Sequence, residues 1–352
     1  QVQDISYQHT LKILDQPPSI VFYDVTTLYF EAAEEDDFRQ RGFSKDGKHQ
    51  QPQIVLGLLV SAAGYTLTYE LFEGSTFEGD TMIPVIEAFK ERYRLQKVIV
   101  VTDAGMLSEK NIQAICKKGY EFIVGARIKN ESQSIKEEIL SFKLKNNGSR
   151  TIDKNDGQKL IVSYSSARAR NDAYNRKRGL NKLEKTLQSG KLTKRHINNR
   201  GYNKYLKLEG EINISIDYHK FKKDKKWDGL KGYLTNTHLS KKAVIAQYKQ
   251  LWFVEKTFRI SKSDLRIRPI FHYKKRRIES HICIAFAACK VYKELERQLY
   301  EKKAGMSPEK AINILKTIYS MTIITPYSNT KHTRFIIKNQ EQSYLLKLFN
   351  LY

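Results

Sequence analysis

Residues 20–24, Ile-Val-Phe-Tyr-Asp, form an apolar run closed by an acid, and Val98-Ile99-Val100-Val101-Thr102-Asp103 closes the same way before Ala104-Gly105. Short continuous apolar runs of this kind read as buried strands, the first over Ser19–Tyr23 after a polar lead-in. Between them, residues 53–60 are almost uniformly apolar, and residues 65–72 alternate Thr66 and Thr68 with apolar partners. Joined across Ala63-Gly64, they predict a half-exposed antiparallel hairpin. Asp80 or Thr81 is placed to cap a helix running to about Tyr93, with Ile83, Ile86 and Phe89 on one side. A helix from about Ser108 to Lys118, with Ser108 as N-cap, and a strand Glu121-Phe122-Ile123-Val124 follow.

The resulting order, β-β-β-α-β-α-β, matches the α/β ribonuclease-H-like layout, a mixed sheet flanked by helices. In that layout, acids at the ends of the first and fourth strands meet in one cleft. A generic α/β sheet explains the same order, because Asp is common at strand ends. From residue 126 the pattern changes. The segment Arg168–Arg200 is nearly all polar and basic, flanked by Leu160-Ile161-Val162 and the alternating Ile212-Asn213-Ile214-Ser215-Ile216. The expected organisation is therefore a first part of the ribonuclease-H-like domain over 1–125 and a β-rich basic insertion over 126–235. The second part of that domain covers 236–300, and a C-terminal helical region, a candidate dimer contact, covers 301–352.

Between about Lys241 and Ser263 there is no Pro or Gly, and Ser240 can cap, so one continuous helix is predicted. On it Tyr248, Leu251, Trp252, Glu255, Arg259 and Lys262 fall within an arc of roughly 100°. A face mixing aromatics, a carboxylate and cations suits a cleft in which Glu255 binds metal; a surface ion-pair ladder has the same composition. The chain leaves the helix before Pro269, and Arg276–His281 opens an apolar helix over about Ile282–Leu295. His272 and His281 have no matching Cys or His pair and read as structural or phosphate-facing. Ser307-Pro308 starts a further helix.

Charge sharpens this picture. The chain carries 62 Lys and Arg against 38 Asp and Glu, a net +24, and residues 126–235 alone hold 27 against 12. Such an excess points to a polyanionic partner, although a solvated, partly disordered loop gives the same composition. Two strand-end aspartates and a helix glutamate, Asp24, Asp103 and Glu255, make an all-oxygen donor set suited to a pair of hard divalent cations acting on nucleic-acid phosphate. Cys116, Cys283 and Cys289 show neither C-x-x-C nor zinc-finger spacing, which fits a reducing cytosol. No run approaches the ~18 apolar residues of a membrane span, and no signal peptide is visible. Gln1 stands where Met would begin a chain, and a missing amino-terminal region is expected.

The motifs together resemble the DDE transposases of bacterial insertion sequences, in particular the insertion-sequence-four superfamily with its Y-x2-R-x3-E-x6-K signature. Here that signature reads Tyr248-x2-Leu251-x3-Glu255-x6-Lys262, with leucine at the arginine position. Phe22–Phe30, Gly42–Gly47, Val101–Gly105 and Leu265–His272 resemble the same branch, in the same order. The resemblance implies that Asp24, Asp103 and Glu255 are the catalytic and metal-binding triad, served by Mg²⁺, with Mn²⁺ tolerated, two ions per site. It gives Tyr248 and Lys262 contacts to transposon-end phosphates and Trp252 a part in managing an unstacked base, with Trp227 as a stacking partner. Arg259 is placed to compensate for Leu251. It further implies double-stranded DNA partners (transposon ends and target), a homodimer on DNA, and a nucleoid-associated place in the bacterial cytoplasm. A catalytically silent DNA-binding descendant, a ribonuclease-H-like nuclease without strand transfer, and a basic RNA-binding structural protein are the rival readings.

Overall fold

The computed structural model describes residues 1–352 apart from 15–16, 45–46, 107, 191, 199–200, 210–212 and 352. Lys45 and Asp46 of the Gly42–Gly47 motif, Arg200 and Ile212 therefore lie outside the described residues. The chain divides into two units, Gln1–Val98 with Leu251–Tyr352, and Ile99–Gln250.

The first unit opens with a helix where a polar lead-in was expected, α1 (Val2–Leu14). Its buried side is Ser6, Tyr7 and Thr10; Ser6 Oγ donates to the Thr66 carbonyl at 3.1 Å, and Tyr7 stacks on Tyr93. The predicted meander follows as β1 (Ile20–Tyr29), β2 (Gln53–Ser61) and β3 (Thr66–Glu73), antiparallel throughout. Then comes α2 (Glu78–Tyr93), which starts before Asp80 and has no side-chain cap. Thr81 serves differently: it accepts a 2.7 Å hydrogen bond from the buried Tyr23 hydroxyl and donates to the Glu78 carbonyl. Burial raises the Tyr23 phenol far above its ordinary range.

The second unit begins with β4 (Ile99–Thr102), α3 (Glu109–Lys117) and β5 (Glu121–Ala126). β4 and β5 are parallel, and Ser108 Oγ caps α3 by accepting from the Asn111 amide, as expected. This completes the predicted ribonuclease-H-like order. Next are α4 (Gln133–Ser141), β6 (Ser149–Asp153), β7 (Lys159–Tyr164), and α5 (Ser166–Gln188), the basic segment folded as a 23-residue helix. β8 (Leu206–Glu209), β9 (Asn213–Ile216), α6 (Tyr218–Asp224), β10 (Leu230–Thr235) and α7 (Lys241–Lys249) complete the unit. Its strands run in the order β4-β5-β10-β7-β6, so β10 returns antiparallel between β5 and β7. The β8–β9 pair and α5 close a small core of their own around Leu183, Tyr205, Leu206 and Ile216.

The first unit resumes with α8 (Trp252–Arg259), followed by a π-helical turn at Ile260–Asp264. The continuous 241–263 helix is thus three pieces. Gln250 ends α7 with a 2.9 Å bond to the Gln247 carbonyl, and Leu251 enters α8 as a turn residue 6% exposed. No Pro or Gly marks this break, and the residue at it, Leu251, is buried. α9 (Lys275–Glu301) is longer than predicted and packs with α8 over β2 and β3 through Phe258, Ile282 and Phe286. α10 (Pro308–Leu315), capped by Ser307, and α11 (Gln340–Leu348) pack on the end of α9 around Leu299, Ala311 and Leu345. Between them β11 (Tyr319–Ile324) and β12 (Lys331–Ile336) pair as a fully exposed hairpin. No helix among the described residues is long and apolar enough to cross a membrane.

Candidate active site

Asp103 stands where the sequence placed it, one residue beyond the buried run Val100-Val101-Thr102 of β4, and it is exposed. Its carbonyl accepts from the Met106 amide at 3.1 Å, the turn that leads to α3. The Tyr248 hydroxyl donates to its Oδ1 at 3.0 Å. Tyr248 lies in the last turn of α7, 6% exposed, with the Tyr233 ring of β10 edge-on at 5.1 Å and Lys231 Nζ 4.3 Å from its ring centre. Its hydroxyl sits against Gly125 of β5, where an added Cβ would come within 2.5 Å of it. This is the close approach that a glycine inside a strand often marks.

Asp103 and Tyr248 open on a cleft of about 440 Å³ whose other walls carry Arg127, Lys129, Arg168 and Lys231. Lys129 is shared with Asp224 at 3.3 Å and lies 5.9 Å from the half-buried Trp227 ring. Burial pushes the Asp224 carboxyl up, but hydrogen bonds from Lys204 and Tyr205 and the Lys129 charge prevail and hold it at about 2. Arg168 lies 3.8 Å from Asp172, one turn along α5. These cations were not singled out in the sequence. They are scattered from 127 to 231, and only the return of β10 beside β5 brings them together.

Asp24 and Glu255 belong to the first unit. Asp24 does not end its strand: β1 continues to Tyr29, because Val25 to Leu28 remain paired with β2 and buried. Asp24 sits opposite Leu58, half-buried, with the Val25 amide 2.8 Å from its Oδ1. Strand alternation turns it away from Tyr23, which is committed to Thr81. α8 packs on β1 and β2 through the buried Val254, Thr257 and Phe258, leaving Trp252, Glu255 and Arg259 on its exposed side. Glu255 is in the first turn of α8, where the helix dipole favours a negative charge.

The expected single face of six residues is therefore redrawn. Tyr248 lies on another helix and is buried, and Leu251 is a buried residue at the entry to α8. Lys262, half-buried, falls in the π turn, where the wider coil removes it from the 100° count. Trp252 is 48% exposed and stacks on Phe253 at 4.2 Å, with Lys256 Nζ 5.5 Å from its ring. Trp227 belongs to the other unit. His281 bonds the Ile267 carbonyl at 3.0 Å, the structural one of the two roles expected of it.

Chemically, Asp24, Asp103 and Glu255 are hard oxygen donors of the type that divalent Mg²⁺ or Mn²⁺ takes. Among the described residues, no three His, Cys, Asp or Glu side chains are gathered into a group that could hold a metal ion.

The chain is similar in structure to the piggyBac transposase synaptic complex with hairpin DNA, at 9% identity and a TM-score of 0.46 over 87% of this chain and 55% of that one. It is also similar to the Mos1 transposase paired-end complex with left transposon end (12% identity, TM-score 0.22) and the Mos1 mariner paired-end complex with Mn (15%, 0.20). Each of these covers 34% of this chain and 40% of the other. The chain thus spans about half the length of the first and two-fifths of the others. No curated protein matches it. The transposase DDE domain, however, matches residues 15–289, a stretch that takes in all three acids and most of both units, and the chain belongs to that family.

Proposed function

We propose that the chain cuts and joins DNA at transposon ends, with Asp24, Asp103 and Glu255 as the catalytic carboxylates. The observation that carries this reading is the family match across all three acids, together with the exposure of Asp103 at the mouth of a cation-lined cleft. In this reading the three side chains hold divalent cations, Mg²⁺ or Mn²⁺, which supply Lewis-acid stabilisation of the phosphoryl group and a nucleophile at neutral pH.

The chain's own residues do the rest. Arg127, Arg168 and Lys231 bind and orient backbone phosphates beside Asp103. The exposed Trp252 face is available to stack an unpaired base, and Arg259, on the same side of α8, approaches the phosphates flanking it. Lys262 and Trp227 are assigned to the same DNA contacts. Leu251 at the signature arginine position is buried, so it offers no phosphate contact there. The chain is assigned to the insertion-sequence-four group, acting as a homodimer on paired ends in the bacterial nucleoid. Residues 126–235 act as its basic insertion and 301–352 as a candidate dimer contact.

The test is cleavage of a labelled duplex carrying the element's own terminal repeat, with Mg²⁺, Mn²⁺ or EDTA. Metal-dependent nicking and joined products are expected for the wild type, and their loss with retained binding for Asp103→Asn and Glu255→Ala. Nicking that survives both substitutions would sink the triad assignment; nicking without joined products would make the protein a nuclease.

A further inference from the structure

We propose that Tyr248 is a positioning residue for Asp103, and that its hydroxyl is committed to that carboxylate and not to a DNA phosphate. The inference rests on the reading of Asp103 as a metal-binding carboxylate. Three observations converge on the hydroxyl. It donates to Asp103 Oδ1 at 3.0 Å from a ring only 6% exposed. It occupies the space that the missing side chain of Gly125 leaves open, so the strand beneath is shaped around it. And the Lys231 ammonium lies 4.3 Å from the ring centre, a cation–π contact that helps hold the ring in place.

The consequence for Asp103 is orientational. The carboxylate stands on a one-residue extension beyond β4 and is exposed. A hydrogen bond from a rigid, packed phenol to one oxygen fixes the plane of the carboxylate and presents the other oxygen outward. Partners of this type behind a metal ligand typically change metal affinity about 10- to 100-fold when removed. Tyr233 holds the ring edge-on, and α7 packs on β4, β5 and β10, so the donor is anchored in the same unit as its acceptor.

The experiment compares wild type with Tyr248→Phe, Gly125→Ala and Asp103→Asn. Mn²⁺ affinity of the free protein is read by calorimetry or electron paramagnetic resonance, and duplex binding is read in EDTA. Tyr248→Phe keeps the ring packing and removes only the hydroxyl. It is expected to weaken Mn²⁺ binding about tenfold or more while leaving duplex affinity in EDTA unchanged, and Gly125→Ala, which displaces the hydroxyl, to repeat that split. Wild-type Mn²⁺ binding by Tyr248→Phe, where Asp103→Asn has lost it, overturns the proposal. So does a loss of duplex affinity in EDTA, which would return the hydroxyl to a phosphate. If Asp103→Asn itself leaves Mn²⁺ binding intact, it is the metal role of Asp103 that fails, and the proposal falls with it.

Discussion

Lys290 is 8% exposed between α1 and α9, its ammonium hydrogen-bonded to Thr10 Oγ1 and lying 4.5 Å from the centre of the Tyr65 ring. Burial pushes its pKa down to about 8, with the Glu294 charge pulling weakly the other way, and His9 nearby is also lowered by burial and by this lysine. The unfolded lysine holds its proton up to its ordinary value of 10.5. Between pH 8 and about 10 the unfolded state therefore binds more protons, and stability rises with pH. Below pH 8 the whole penalty is present, on the order of 3 kcal/mol at ~1.4 kcal/mol per unit. Above pH 10 the gain is opposed by Tyr65, whose phenol burial lifts to about 12. Lys290→Met is expected to stabilise the protein at pH 7 by roughly 1–3 kcal/mol and to flatten the rise above pH 8, measured by denaturant melts across that range. At this scale the sequence was informative for Asp103, whose apolar run, turn and Ser108 cap are all local. It singled out Tyr248 but assigned its hydroxyl to phosphate instead of Asp103, and it was silent on Lys290; both depend on partners 145 and 280 residues away.

Elements whose burial follows a regular apolar period were legible: β2 to β5, α3 and the body of α9 stand close to where the pattern put them, and β1 starts there but runs on to Tyr29. α1 escaped because its buried side is Ser6 and Thr10, satisfied by hydrogen bonds, and Tyr7, packed on Phe89 and Tyr93, which together make no regular apolar stripe. The break between α7 and α8 escaped because no Pro or Gly marks it, and the π turn because one extra residue per turn leaves no compositional trace. These two misreadings matter for the site, since they separate residues that a single helix would have aligned. The Leu251 position gives the corresponding prediction. Restoring the signature arginine, Leu251→Arg, would place a guanidinium where the native side chain is 6% exposed. It is expected to cost several kcal/mol, seen as a lower midpoint in denaturant melts, and not to improve DNA binding. A stable, tighter-binding variant would show that the junction accommodates the signature residue.

Over the whole molecule the charge was the most legible property and its placement the least. A net +24, more than half of it within residues 126–235, predicts DNA affinity that falls steeply with salt by counterion release. Replacing Arg127, Arg168 or Lys231 singly by alanine is expected to lower the magnitude of the log–log salt slope by about one each, whereas Lys207, on the separate β8–β9 hairpin, is not. Titrations of a labelled duplex in EDTA between low and moderate salt would measure this, and equal slopes for all four variants would dissociate the cleft from DNA. The sequence could not supply this distinction. The cleft exists because β10 inserts between β5 and β7, a pairing between segments about a hundred residues apart that local patterning does not encode.

The two-part build of the first unit also sets a timetable. Its strands β1, β2 and β3 are made early, but the helices that cover β2 and β3, α8 and α9, come only after the whole of Ile99–Gln250 has emerged. At roughly 5–20 residues per second, those ~150 residues take about 8–30 seconds to synthesise. During that interval Leu56, Leu58 and Tyr69 have no partner from α8 or α9. The nascent chain is therefore expected to be aggregation-prone on the ribosome for longer than its size alone would dictate.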